Sequence, residues 1–328
     1  MPPFDPGGPD SGAMKVLALA GGVGGAKLAA GLEAALPGGD LTVVVNTADD
    51  FDLWGLRICP DLDTVMYTLA GLANPETGWG LAGETFDSLE MLGRYGEDTW
   101  FWLGDRDLAT HLLRTSRLRS GESLTSITRD LGRRLGVRSE ILPMSDDPVA
   151  TVLDTPAGPL EFQEYFVRRG QRDEVRGVEF RGVDEARPTR AVLDGIREAD
   201  AIVLCPSNPV VSLGPILAVP GVGDALAASS VPKVAVSPIV GGRALKGPAD
   251  RMLSSTGHES SATGVARFYA GLIDALIMDA ADAGEESEIE GLDVRPYLTD
   301  AVMHDEPDRA RLAREVLDVA EGLSVRPE

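Results

Sequence analysis

Two pairs of carboxylates fall within fifteen positions of this chain: Asp49 and Asp50 close one apolar run, and Asp61 and Asp63 follow Cys59-Pro60. Carboxylates with no His or Cys beside them suit a hard cation. Mg²⁺ takes one or two of them and leaves its remaining positions to water and substrate phosphate oxygens. Asp50 and Asp63 are the expected Mg²⁺ ligands, whereas Asp61, just before Leu62, also reads as a helix N-cap. Upstream lies Gly21-Gly22-Val23-Gly24-Gly25-Ala26-Lys27, between an apolar run and a helical pattern. Strand, glycine loop and helix aim backbone N–H groups at a phosphate. Gly22, Gly24, Gly25 and Lys27 are therefore expected nucleotide or phosphate contacts. The loop departs from both common phosphate fingerprints: Leu28 stands where a Walker loop needs Ser or Thr, and Lys27 where a dinucleotide loop needs a small residue. A tight turn alone is the competing reading of the glycines.

Two further segments carry directed polar groups. Leu103-Gly104-Asp105-Arg106-Asp107-Leu108-Ala109-Thr110-His111 places an arginine between two aspartates. Arg106 could fork onto a phosphate or onto ring carbonyls, or pair internally with Asp105 or Asp107. His111 is a candidate ligand contact or a buried capping residue. In Pro206-Ser207-Asn208-Pro209, Ser207 and Asn208 offer uncharged hydrogen bonds suited to a base or ribose. No Ser-His-Asp or Cys-His set has a recognisable local sequence, which disfavours covalent catalysis.

These segments need a scaffold. Lys15 to Ala20, Leu41 to Val45, Ala201 to Cys205 and Lys233 to Ser237 read as buried parallel strands, each ending in turn chemistry. The spacing predicts an α/β fold: a Rossmann-like three-layer sandwich with a mainly parallel sheet and an inserted helical and mixed subdomain. The core is expected at about 14–64 and 188–280, with the insertion at about 65–187 carrying helices over Leu108 to Leu118 and Ser123 to Leu135. Strand-like alternation follows near Thr151 and Leu160. Residues 281–295 read as an acidic surface loop and Pro307 to Leu323 as an amphipathic helix.

Of the 328 residues, 43% are hydrophobic, enough for a full core, and the net charge is −22 with 30 basic against 52 acidic residues. That balance argues against a nucleic-acid partner. No apolar run approaches membrane-spanning length. Residues 1–13 read as a disordered leader without signal-peptide features, so a cytoplasmic protein is expected. Cys59 and Cys205 have no metal-ligand spacing.

Seven segments in this order resemble the 2-phospho-L-lactate transferase family of coenzyme F420 biosynthesis, including its actinobacterial phosphoenolpyruvyl transferase members. They are Gly21 to Lys27, Asn46-Thr47-Ala48-Asp49-Asp50, Ile58 to Thr64, Leu103 to His111, Leu142 to Pro148, Ala201 to Gly214, and Ser237-Pro238-Ile239. The resemblance covers nearly all of 14–325. It implies transfer of a phosphoenolpyruvyl or 2-phospho-L-lactyl group from a guanosine diphosphate adduct to the ribityl hydroxyl of the deazaflavin Fo, with GMP leaving. It implies Mg²⁺ on Asp50 and Asp63, and Fo on Asp63, Arg106 and His111. The glycine loop, Ser207 and Asn208 would hold the guanosine phosphates, and the enzyme would be a homodimer. Ala48 departs from the pattern, since actinobacterial members more often carry glycine there. A sister family, the gluconeogenesis or cell-morphology factor, shares the glycine loop and the Asn-Thr-Ala-Asp-Asp segment as a nucleotide-sugar-binding regulator. Pro60 to Thr64 and Gly104 to Asp107 fit the transferase better.

Overall fold

A computed structural model of the chain describes residues 14–324; the expected leader at 1–13 lies outside the described residues. The strands of the central sheet are β1 (Val16–Ala20), β2 (Leu41–Val45), β3 (Glu140–Pro143), β4 (Ala201–Leu204), β5 (Lys233–Val236), β6 (Ala275–Asp279) and β7 (Arg295–Thr299). They run in the order β7-β6-β5-β4-β1-β2-β3. Every neighbouring pair is parallel, with Val16 opposite Leu41 on one side and Ala201 on the other. A parallel sheet must be covered on both faces, and its strands then lose polar alternation. Accordingly Leu17, Leu19 and Leu204 enter one core, and Ala18, Ala20 and Val203 the opposite one. The result is the expected three-layer sandwich.

Two sheet strands lie outside the expected core segments. β3 falls inside the segment read as an insertion, and β7 follows residue 280. Both are edge strands, where short length and proline are tolerated. β3 has four residues ending in Pro143, and β7 carries Pro296. The stretch read as an acidic loop is helical over Ala280–Glu285 and Glu286–Glu290, because Ile289 is buried beneath it.

Helix α1 (Gly22–Ala35) packs against α2 (Pro60–Leu69) and the C-terminal helix Glu306–Ser324. The inserted part contains α3 (Asp87–Arg94), α4 (Asp105–Arg119), α5 (Leu124–Arg134) and a small antiparallel sheet built on Ala150–Asp154. The N-termini of α3 and α4 are capped across their junction. Asp105 accepts the amides of Asp87 at 3.0 Å and Ser88 at 2.9 Å, and Glu84 accepts those of Arg106 at 2.9 Å and Asp107 at 3.0 Å. Among the described residues no single helix is long and apolar enough to cross a membrane.

The strand order reverses between β1 and β4. Open α/β sheets bind ligands at such a switch point, beyond the carboxyl ends of the strands.

Candidate functional site

The switch-point crevice is edged by the glycine loop after β1 and the Cys205 to Asn208 loop after β4. The two loops are stitched together. Ser207 Oγ accepts the Gly21 amide at 3.0 Å and donates to the Gly21 carbonyl at 2.8 Å. A Cβ at Gly24 would overlap the Pro206 carbonyl oxygen, and one at Gly25 would overlap Ser207 Oγ. Three expected nucleotide contacts, Gly24, Gly25 and Ser207, therefore have protein partners that account for their identity. Gly22 alone of these glycines holds a left-handed φ, +61°. Lys27 donates to the Met303 carbonyl at 2.5 Å. Asn208 caps the π-helical turn Pro209–Leu213 through Oδ1, while its buried Nδ2 has no partner.

All four carboxylates are buried. The extended Asn46 segment continues β2, and its side chain turns the backbone by accepting the Ala48 amide at 2.9 Å. Asp49 and Asp50 thereby enter the wall of a cleft of about 470 Å³, with Arg57, Thr151, Phe162 and Arg181. Asp49 Oδ1 and both Asp50 oxygens lack hydrogen-bond partners, and the nearest Arg57 nitrogen stands 3.8 Å from Asp50. Burial pushes the Asp50 carboxyl up to about 7 despite that arginine. Burial, Asp61 and Asp50 push Asp49 well above its ordinary range. Asp61 is not the cap of α2; Cys59 holds that position and Pro60 opens the helix. Its Oδ2 instead accepts Asn46 Nδ2 at 3.0 Å, and burial raises its carboxyl to about 6.

Asp63 is different. Arg114, two turns along α4 from Asp107, forks onto both its oxygens, with Nη1 to Oδ2 at 3.0 Å. His111 Nδ1 lies 3.2 Å from Arg114 Nη1, and its Nε2 lies 3.2 Å from Asp107 Oδ1. Since Arg114 can only donate, Nδ1 must be the acceptor there and the ring proton sits on Nε2. Tyr67 donates to Asp107 at 2.7 Å. Burial would raise the Asp107 carboxyl, but His111, Tyr67 and Arg114 outweigh it and hold it below its usual range. Asp63, Asp107 and His111 stand close enough to share an ion. The Arg114 guanidinium already occupies that place as the cation.

Oxygen atoms without partners are what a hard cation needs. The residues fit Mg²⁺ best at Asp49 and Asp50; Asp63, the other expected ligand, faces Arg114 with both oxygens. His111, expected at Fo, is buried within the Arg114 network. Arg106 is exposed and donates to the Ala82 carbonyl at 2.7 Å, so it stands apart from the buried carboxylates.

A family model described as 2-phospho-L-lactate transferase CofD matches residues 16–320. The chain belongs to the CofD family. CofD-family relatives from Streptomyces griseus and Streptomyces coelicolor, each named phosphoenolpyruvate transferase, are 46% and 45% identical over 94% of this chain and 99% and 98% of their own. A relative from Methanosarcina mazei named 2-phospho-L-lactate transferase is 39% identical over 88% of this chain and 94% of its own. A solved UPF0052-family protein from Bacillus halodurans shares the fold, with TM-score 0.63 at 18% identity over 93% of this chain and 99% of that one. As a CofD-family chain the protein is a transferase.

Arg114 is the arginine of the network that motif reading missed, and Asp107 was read only as a possible partner of Arg106. Their signal was present: Asp107, His111 and Arg114 recur at four- and three-residue spacing, which places them on one helix face.

Proposed function

We propose that this CofD-family chain acts in coenzyme F420 biosynthesis, moving a phosphoenolpyruvyl group from its guanosine diphosphate adduct to the ribityl hydroxyl of Fo. The hydroxyl oxygen forms a bond to the phosphorus that carries the enol ester. The bridging P–O bond breaks and GMP leaves with the electron pair. The observation that carries this reading is the pair of buried carboxylates, Asp49 and Asp50, with unpartnered oxygens in the wall of the cleft beyond the carboxyl end of β2. Higher identity to relatives named for phosphoenolpyruvate than to those named for 2-phospho-L-lactate supports the enolpyruvyl donor.

Asp49 and Asp50 would hold Mg²⁺, which supplies charge neutralisation at the transferred phosphoryl group. Asp50 has two free oxygens, so one can face the ion while the other orients the acceptor hydroxyl and takes its proton. In the metal-free chain burial raises that carboxyl to about 7. Asn208 Nδ2 donates to the donor's nucleotide. Arg114 holds Asp63 in place beside this centre.

Incubation of the protein with Fo, Mg²⁺ and each guanosine adduct, read by mass spectrometry, tests the proposal. GMP and a phosphoenolpyruvyl-Fo product are expected. Release of pyrophosphate, or no product from either adduct, overturns it.

A further inference from the structure

Three cations of this acidic chain, Lys27, Lys246 and Arg309, are set along one face of α1, and among the described residues none of them has an ion-pair partner. Val23, Lys27 and Gly31 recur at four-residue spacing and so share a helix face. At the Val23 end the chain crosses at Gly78, where a Cβ would stand 2.7 Å from Val23 Cγ1 and 3.3 Å from Lys246 Nζ. Lys246 is anchored there by its 3.0 Å hydrogen bond to the Thr77 carbonyl. At the other end the Arg309 backbone lies so close that a Cβ at Gly31 would overlap its carbonyl oxygen. Lys27 lies between, its ammonium on Met303.

Among the described residues none of Lys27, Lys246 and Arg309 forms an ion pair. Arg309 Nε is buried without a hydrogen-bond partner. Asp308, the carboxylate that acts on Lys27, already faces Arg311 at 3.8 Å and accepts the His304 amide at 3.0 Å. Burial, Arg309 and Lys246 together push the Lys27 ammonium below its usual range against the pull of Asp308. With 52 acidic residues for 30 basic ones, partners for three cations are plentiful in this chain. Neighbouring cations without an ion-pair partner repel one another, and a bound anion relieves that repulsion.

We propose that Lys27, Lys246 and Arg309 form the seat of a diphosphate group, with Lys246 and Arg309 as binding residues that the loop motif does not contain. Naming that diphosphate as the donor's rests on the function proposed above; the seat itself does not. Diphosphate is favoured over a single carboxylate because the cations are spread along two turns of one helix face.

Calorimetric titration with inorganic pyrophosphate tests this on the whole chain, comparing wild type with Lys246→Gln and Arg309→Gln. Each variant should weaken binding roughly tenfold, the scale of one charge-assisted hydrogen bond. Added salt should weaken wild-type binding. The thermal midpoint without ligand should stay or rise, because a repulsion is removed, and Fo fluorescence titrations should not change. Unaltered pyrophosphate affinity in both variants overturns the seat, as does a lowered midpoint with affinity kept. Tricarballylate binding as tightly as pyrophosphate overturns the diphosphate assignment. A chain that binds pyrophosphate as described yet transfers nothing to Fo overturns the proposed function and leaves the seat standing.

Discussion

The Arg114 network and the Asp50 cleft are neighbours built from the same acidic residue type, yet one is closed and the other open. Asp63 has a fork of guanidinium N–H groups, and Asp107 has a tyrosine and a histidine. Neither Asp50 oxygen has a hydrogen-bond partner, with Arg57 no nearer than 3.8 Å, and one Asp49 oxygen has none. Burial is equally deep in both places, so burial does not distinguish them. The supply of partners does. A buried carboxylate forked by its own cation holds the structure together; one without that fork has the open oxygens that the proposed function calls on.

Substitution at the two places should separate these roles most sharply. Arg114→Met leaves Asp63 charged and buried without a partner, and should cost about 3–5 kcal/mol in urea unfolding. Asp50→Asn removes a charge that has no hydrogen-bonded cation, only Arg57 at 3.8 Å. It should leave the unfolding midpoint unchanged or higher while lowering the rate of transfer to Fo by roughly a hundredfold or more. Equal loss of stability in the two variants would erase the distinction.

Acidity gives a second, smaller contrast. Asp50 and Asp61 titrate near 7 and 6 in the folded chain against an ordinary 3.8. The folded state therefore binds protons more tightly than the unfolded state. The stability this contributes is complete below the ordinary value and is lost as pH rises through the folded values. In EDTA the thermal midpoint should fall by several degrees between about pH 5 and about pH 8. Asp50→Asn should flatten that slope, whereas a slope identical to wild type would place the titration elsewhere. The smallest effect is expected at Arg106. Its side chain is exposed and meets only a backbone carbonyl, so Arg106→Lys should change stability by less than about 0.5 kcal/mol. A tenfold loss of Fo affinity in that variant would instead bring Arg106 into the acceptor site.

Four of the five central strands were legible because parallel strands buried on both faces become continuous apolar runs, as in Val43-Val44-Val45; β6, equally apolar, was not singled out. The edge strands β3 and β7 were not, because an edge tolerates the proline and polarity that a central strand excludes. In the site, the carboxylates were legible as residue types at sheet ends. Their division of labour was not, since it depends on Arg114, which reaches Asp63 from 51 positions away. The glycine loop shows the same limit. Its composition suggested close approach of a ligand, and the structure supplies close approach of Pro206 and Ser207. Sequence spacing cannot name the partner when that partner comes from the other half of the chain.

The stitch between Gly21 and Ser207 joins groups 186 positions apart. During synthesis the first strand and its glycine loop leave the ribosome long before the loop that locks them. Until β4 arrives, β1 has a neighbour on one side only and an open row of backbone groups on the other. The crevice thus cannot assemble until the second half of the chain has begun to emerge, and one edge of β1 stays open to mispairing until then. A nascent chain ending anywhere before Ala201 would carry the phosphate-loop sequence without the site.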